Sequence, residues 1–311
     1  MKSEILIHPE ELSRRWIDRM AEQGVTILGL HPVGGRKAAD TLGALLERLE
    51  TPAFRELLDY AAARGLEIEY EMHAASYLLP RELFDSHPAY FRMDANGERV
   101  RDTNFCVTNP EALELYAANA AELVSKLYRS RHSYELWLDD SRGKSCQCPS
   151  CRRYSVAEQQ LLVQNRVLRE LKKTIPDARL AHIAYLDCLD VPQRVAPEAG
   201  IFLEFAPMER HIKREDGIDY AAQEREMMHP LLCFFGCKGA KVLEYWLDNS
   251  LLSGWKKPPR LLAASRESVH ADLDAYQAAG FETAATFGCY LGADYEALYG
   301  APDITPYTDW F

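Results

Sequence analysis

The chain has 311 residues, of which 47% are hydrophobic and 27% charged, with 47 acidic against 36 basic side chains and a formal net charge of −11. That is enough apolar material for a large core, at a length that suits a barrel of about 250 residues with insertions, while the acidic balance excludes nucleic acid and anionic membrane as main partners, because both are held by basic patches. No apolar run reaches the ~18 residues of a membrane span, and Glu4, His8 and Glu10 interrupt the amino-terminal segment before it could act as a secretion signal, so a cytoplasmic protein is expected.

Short apolar runs alternate with longer amphipathic ones. In chain order, the pattern predicts a strand over 3–7 and a helix over 10–23, with Leu12, Trp16, Ile17 and Met20 on one face. A buried-type strand follows over 25–30, ending at His31-Pro32, and the next residues, Val33-Gly34-Gly35, read as a loop turn. A helix over 52–64 and a strand over 66–70 precede a long loop from 77 to 109. A helix over 110–128 begins with Asn109 as cap and Pro110 in its first turn. Strands over 134–138, 179–185, 201–205, 241–246 and 281–287 complete the set, with helices over 156–174, 220–235 and 269–279 between them. The last helix stops at Gly280. Eight strands in β-then-α order, with no glycine-rich phosphate loop after any of them, predict one α/β domain over 1–311: a single (β/α)8 barrel, and no organic cofactor.

In such barrels chemistry sits at the carboxyl ends of the strands. Those ends carry His31; Glu71 and His73; Asp139 and Asp140; His182 and Tyr185, with Asp187; Glu204; Glu244, Trp246 and Asp248; and Cys289 and Tyr290. The sharpest element is Trp137-Leu138-Asp139-Asp140. Two adjacent carboxylates end an apolar strand, and in extended chain they point to opposite sides, so one can face a pocket while the other orients a neighbour. Close carboxylates raise each other's proton affinity, which suits a general acid. Trp137, Tyr185, Tyr245, Trp246, Trp255 and Tyr290 supply aromatic faces on which the apolar face of a sugar can stack.

Cys146, Cys148 and Cys151 place three thiols within six residues. Zinc favours four tetrahedral ligands, and Cys106, in the loop after the preceding strand, supplies the fourth. The expectation is a closed, structural zinc site of four cysteines that pins the loop after strand four to the long loop after strand three. Cys233 and Cys237, spaced by four on a helix, read as core packing. The 209–219 stretch, with His211, Lys213 and Arg214, reads as a solvated loop.

The run Glu69-Tyr-Glu71-Met-His73, the segments Phe84 to Phe91 and Asn104 to Pro110, and Asp139-Asp140 followed by the cysteine cluster resemble the domain of unknown function 4838 group of carbohydrate-active barrels, related to glycoside hydrolase families 163 and 20. That resemblance implies hydrolysis of β-N-acetylhexosaminides, with Asp139 orienting the substrate's acetamido group and Asp140, an Asp where family 20 has Glu, as the general acid. A weaker resemblance to glycoside hydrolase family 42 β-galactosidases implies the grouping of Cys106 with the other three cysteines, and a nucleophile at Glu244, with Glu204 as the second candidate.

The leading expectation is therefore a glycoside hydrolase acting on a small carbohydrate. Asp140, Asp139, Glu244 and Glu204 would be catalytic, and His31, Glu71, His73, Trp137, His182, Tyr185, Trp246, Asp248 and Tyr290 would bind substrate. A metal-dependent sugar isomerase or epimerase would instead gather Glu71, His73, Asp140, His182, Glu204 and Glu244 around a divalent ion. A non-catalytic glycan-binding barrel is the third reading, since the fold hosts many functions.

Overall fold

In the computed structural model, which describes residues 1–212 and 217–311, eight parallel strands close into a barrel. They are β1 (Lys2–Ile7), β2 (Ile27–Leu30), β3 (Glu67–His73), β4 (Ser133–Trp137), β5 (Arg179–Ala184), β6 (Ile201–Phe205), β7 (Lys241–Glu244) and β8 (Thr283–Phe287). Pairing of Lys2 to Leu6 with Thr283 to Phe287 closes the ring. The helices are α1 (Arg14–Glu22), α2 (Ala38–Glu50), α3 (Pro52–Ala63), α4 (Ala75–Leu78), α5 (Pro110–Ser125), α6 (Val156–Leu171), α7 (Tyr220–Phe235), α8 (Asn249–Leu252), α9 (Arg266–Ala279), α10 (Ala293–Tyr299) and α11 (Thr305–Thr308). Their starts are written in the chain. Ser13, Thr51, Asn109, Ser155 and Ser265 each accept a first-turn N–H, and Ser155 with Glu158 forms a reciprocal capping box.

All eight expected strands are present, within a few residues at their ends. α2 is an addition to the expected set, although Leu42, Leu45, Leu46 and Leu49 give it a buried stripe. The cysteine pair near α7 does not pack in the core: Cys233 and Cys237 are both exposed, and Cys237 lies beyond the helix end. Within the 209–219 stretch, Lys213 and Arg214 lie outside the described residues.

The deep layer of the barrel interior is charged. Lys241 Nζ lies 2.6 Å from Glu4 and 2.9 Å from Glu69, contacts Glu71, and is 4.0 Å from Glu135. Burial and the crowding of like charges hold the Glu4, Glu71 and Glu135 carboxyls well above the usual range. Burial pushes Glu69 the same way, but Lys241 and Arg131 outweigh it and hold that carboxyl low. Above this layer, nearer the strand ends, Leu6, Trp137, Ile183, Tyr185, Leu243 and Phe287 form a second, apolar layer. Glu71, expected in the mouth, thus belongs to the interior network.

Candidate active site

A cavity of about 420 Å³ opens at the carboxyl ends of the strands. Its wall is read off the chain in strand order: His8 after β1, His31 after β2, His73 ending β3, Trp137 and Asp140 at β4, Tyr185 after β5, Tyr245 and Asp248 after β7, and Phe287 with Tyr290 at β8. The rings touch around the mouth. His31 lies 5.9 Å from His8, 6.2 Å from His73 and 5.6 Å from Trp137 between centroids, and His73 lies 5.0 Å from Trp137.

The three histidines share one arrangement. Nδ1 of His8 faces the His31 carbonyl at 2.8 Å, Nδ1 of His31 the Glu71 carbonyl at 2.9 Å, and Nδ1 of His73 the Leu138 carbonyl at 2.7 Å. A carbonyl oxygen only accepts, so each Nδ1 carries a proton and each Nε2 is the ring nitrogen left to face a ligand. Burial, with the neighbouring His8 and His73, pushes His31 well below its ordinary value and keeps it neutral.

The adjacent aspartates part. Asp139 is buried and fully engaged: it accepts from the Ser76 N–H at 3.0 Å, the Ser76 hydroxyl at 2.7 Å, the Asn104 N–H at 2.9 Å and Arg81 at 2.5 Å. Its carboxylate ties the 77–109 loop to the end of β4. Asp140 is exposed in the mouth, where the Tyr185 hydroxyl donates to its Oδ1 at 3.3 Å. Burial and the Asp140 charge push the Tyr185 phenol up, so it stays a donor.

Other expected residues lie elsewhere. Glu204 is inside the barrel beneath Trp137, whose indole N–H donates to it at 2.7 Å, and burial raises its carboxyl to about 7. Glu244 points outward from β7, where the Tyr276 hydroxyl of α9 meets it at 2.5 Å and His211 at 2.8 Å. His182 also faces the helix layer, bonded to Gln164 of α6 at 2.7 Å and stacked on Phe235. Trp246 donates to Asp272 of α9 at 2.9 Å. Asp248 caps α8 through Oδ1 while lining the mouth. The ligand set expected for a sugar isomerase is therefore split between interior, mouth and helix layer. Among the described residues, His8 is a wall residue that the sequence reading misses, although it follows β1 as His31 follows β2.

Cys106, Cys146, Cys148 and Cys151 are buried together, with ligand atoms within 4.8 Å of one another. Cys106 Sγ lies 3.7 Å from Cys148 and 3.8 Å from Cys151, close to the ~3.8 Å edge of a tetrahedron with about 2.3 Å metal–sulfur bonds. The Met93 N–H approaches Cys146 at 3.3 Å and the Cys151 N–H approaches Cys148 at 3.4 Å, contacts that favour thiolates. Gln159 of α6 clamps the loop through the backbone of Cys146 and Cys151. This donor set can hold a metal ion.

Residues 48–226 match the family described as Domain of unknown function (DUF4838). The chain belongs to that family. The matched span of this DUF4838 chain runs from α2 to α7 and contains Asp139, Asp140, Tyr185 and all four clustered cysteines; His8, His31, Asp248 and Tyr290 lie outside it. No curated protein matches the chain in sequence. Several solved glycoside hydrolase barrels share its fold. A β-galactosidase from Halorubrum lacusprofundi superposes with a TM-score of 0.57 at 16% identity, covering 100% of this chain and 57% of that one. A β-galactosidase from Marinomonas ef1 gives 0.53 at 13%, covering 92% and 54%. The pneumococcal virulence factor StrH, a protein of N-glycan recognition and hydrolysis, gives 0.53 at 12%, covering 99% and 83%. The DUF4838 chain spans little more than half the length of the two β-galactosidases, and at these identities the likeness is one of fold.

Proposed function

We propose that this DUF4838 barrel is a glycoside hydrolase acting on a β-linked hexosaminide or related glycoside, with Asp140 as general acid. The observation that carries the reading is the placement of Asp140: an exposed carboxylate at the end of β4, bonded by the Tyr185 hydroxyl and set in a cavity walled by aromatic rings and imidazoles. Asp140 donates a proton to the leaving oxygen, and Tyr185 fixes the carboxyl's orientation. The Nε2 atoms of His8, His31 and His73 accept from sugar hydroxyls. Trp137, Tyr245 and Tyr290 offer faces to sugar C–H groups.

Asp139 is spent on the 77–109 loop, which supports a positioning role for it and leaves the acetamido group without that partner. Glu244 and Glu204 lie behind the wall. Asp248, the other carboxylate lining the mouth, takes the place of the second carboxylate in this reading. The tetrahedral spacing of the thiols supports structural zinc at Cys106, Cys146, Cys148 and Cys151, a closed four-thiolate set that leaves no position for substrate. The test is a screen of chromogenic glycosides, N-acetyl-β-glucosaminide, β-galactoside and β-glucoside among them, with Asp140→Asn alongside. Turnover of at least one, lost in the variant, is the expected result. Folded wild-type protein that binds sugars without turning any over would mark a glycan-binding barrel instead.

A further inference from the structure

Of the five tryptophans, Trp255 alone stands out in solvent, at 60% exposure. Its backbone is as unusual as its surface. Trp255 has φ 56°, directly after Gly254 at φ 62°, and its N–H donates to the Ser250 carbonyl at 2.7 Å to close the turn after α8. The left-handed region is where a glycine or asparagine ordinarily ends a helix; a bulky side chain there is strained. With most of its surface in solvent, the indole gains little from burial to offset that strain. Such outliers are enriched at ligand-binding sites.

Its position says which ligand. Trp255 lines the mouth and also a second cavity of about 560 Å³ beside it, and Tyr245 and Asp248 are shared by the two in the same way. On the far side of the mouth, Asp140 and Gly35 are shared with a third cavity of about 1030 Å³ running toward α4 and α5. The shared residues set the three spaces side by side across the strand ends. Asp140 stands at one junction and Trp255 at the other. A single sugar ring placed in the mouth would leave the flanking spaces without an occupant.

Resting on the glycosidase reading above, we infer that the three spaces form one cleft that takes a β-linked oligosaccharide of several sugar residues, with Trp255 as a stacking platform for a ring bound beyond the mouth. The indole face meets the apolar C–H face of that ring, and the sugar's hydroxyls remain in water at the rim.

The experiment measures calorimetric binding of β-linked N-acetylglucosamine oligomers, monomer to pentamer, and of the matching gluco-oligomers. It uses protein carrying Asp140→Asn, so that cleavage does not interfere, with and without Trp255→Ala. The expected result is affinity that rises with length in one series, and a loss of about tenfold for its longest members on Trp255→Ala, with Trp255→Tyr recovering part of it. Trp255→Gly should leave the melting temperature unchanged or raise it, because it relieves the turn. Affinity independent of length, no effect of Trp255→Ala on the longest oligomer, or a lowered melting temperature in Trp255→Gly would each overturn the platform. Turnover of simple glycosides that depends on Asp140, without any dependence on length, would overturn the platform and leave the glycosidase standing. No binding in either series and no turnover would remove both.

Discussion

Glu11 is buried beside His8 and Tyr290, and the backbone N–H groups of both donate to its Oε2, at 3.4 and 3.2 Å. Burial nonetheless raises its carboxyl from 4.5 to about 7. Between those values the folded chain keeps a proton that the unfolded chain has lost, so this group's contribution to stability falls as pH rises through the window. The loss is complete above about pH 7, at roughly 3 kcal/mol. His182 acts in the opposite sense: burial lowers it from 6.5 to about 3, so its contribution is lost as pH falls through that range. The net curve mixes both signs, but Glu11→Gln isolates one. Its stability relative to wild type should grow in the variant's favour from about pH 4.5 to 7 and then level off, measured by denaturant titration at each pH. A difference that does not change with pH would contradict the assignment. The residue scale is also where sequence reading reaches least far. It places every polar residue near a strand end in the mouth, yet alternation sends every second one to the helix layer. Lys241, Leu243 and Tyr245 face inward while Glu244 and Trp246 face α9, and nothing in the sequence says which parity is inside.

At the scale of elements, strands and helices are legible because their signals are local: short apolar runs, capping residues, Gly280 as a stop. α2 carries its leucine stripe too, but Gly43 interrupts it and Lys37 provides no side-chain cap. The long loop is legible only as the absence of a pattern. Its anchors, Arg81 and Asn104 on Asp139 and Cys106 beside the cysteine loop, join residues far apart in sequence. If zinc holds that second anchor, Cys106→Ser should reduce bound zinc from one per chain to none and lower the melting temperature by about 5 °C or more. Cys233→Ser, at an exposed thiol, should change neither. Equal zinc content in wild type and Cys106→Ser would refute the metal site.

For the whole molecule, the unusual feature is a charged barrel interior. Lys241 on β7 binds carboxylates from β1 and β3 and approaches one from β4, so one ammonium group draws opposite walls of the barrel together. The sequence hides this network, because Glu4, Glu69, Glu135 and Lys241 look like strand-edge charges until the barrel closes. Lys241→Met would leave Glu69, the carboxyl held low, with Arg131 alone as counter-charge, and Glu4, Glu71 and Glu135 with no cation beside them. It should cost about 3–5 kcal/mol, a large share of the about 5–15 kcal/mol that holds a typical domain folded. Chemical denaturation measures it directly; a cost under about 1 kcal/mol would mean that the Lys241 ammonium does not hold the network together.

In the proposed reaction Asp140 protonates the leaving oxygen. A general acid matters most when the leaving group is poor, because a good one departs without help. The decisive measurement is kcat/KM of wild type and Asp140→Asn on two glycosides of the same sugar, one with an activated nitrophenyl leaving group and one with an alkyl leaving group. The expected loss is about 100-fold or more on the alkyl glycoside and far less on the nitrophenyl one. Equal losses on both would contradict the acid role and leave Asp140 as a binding residue.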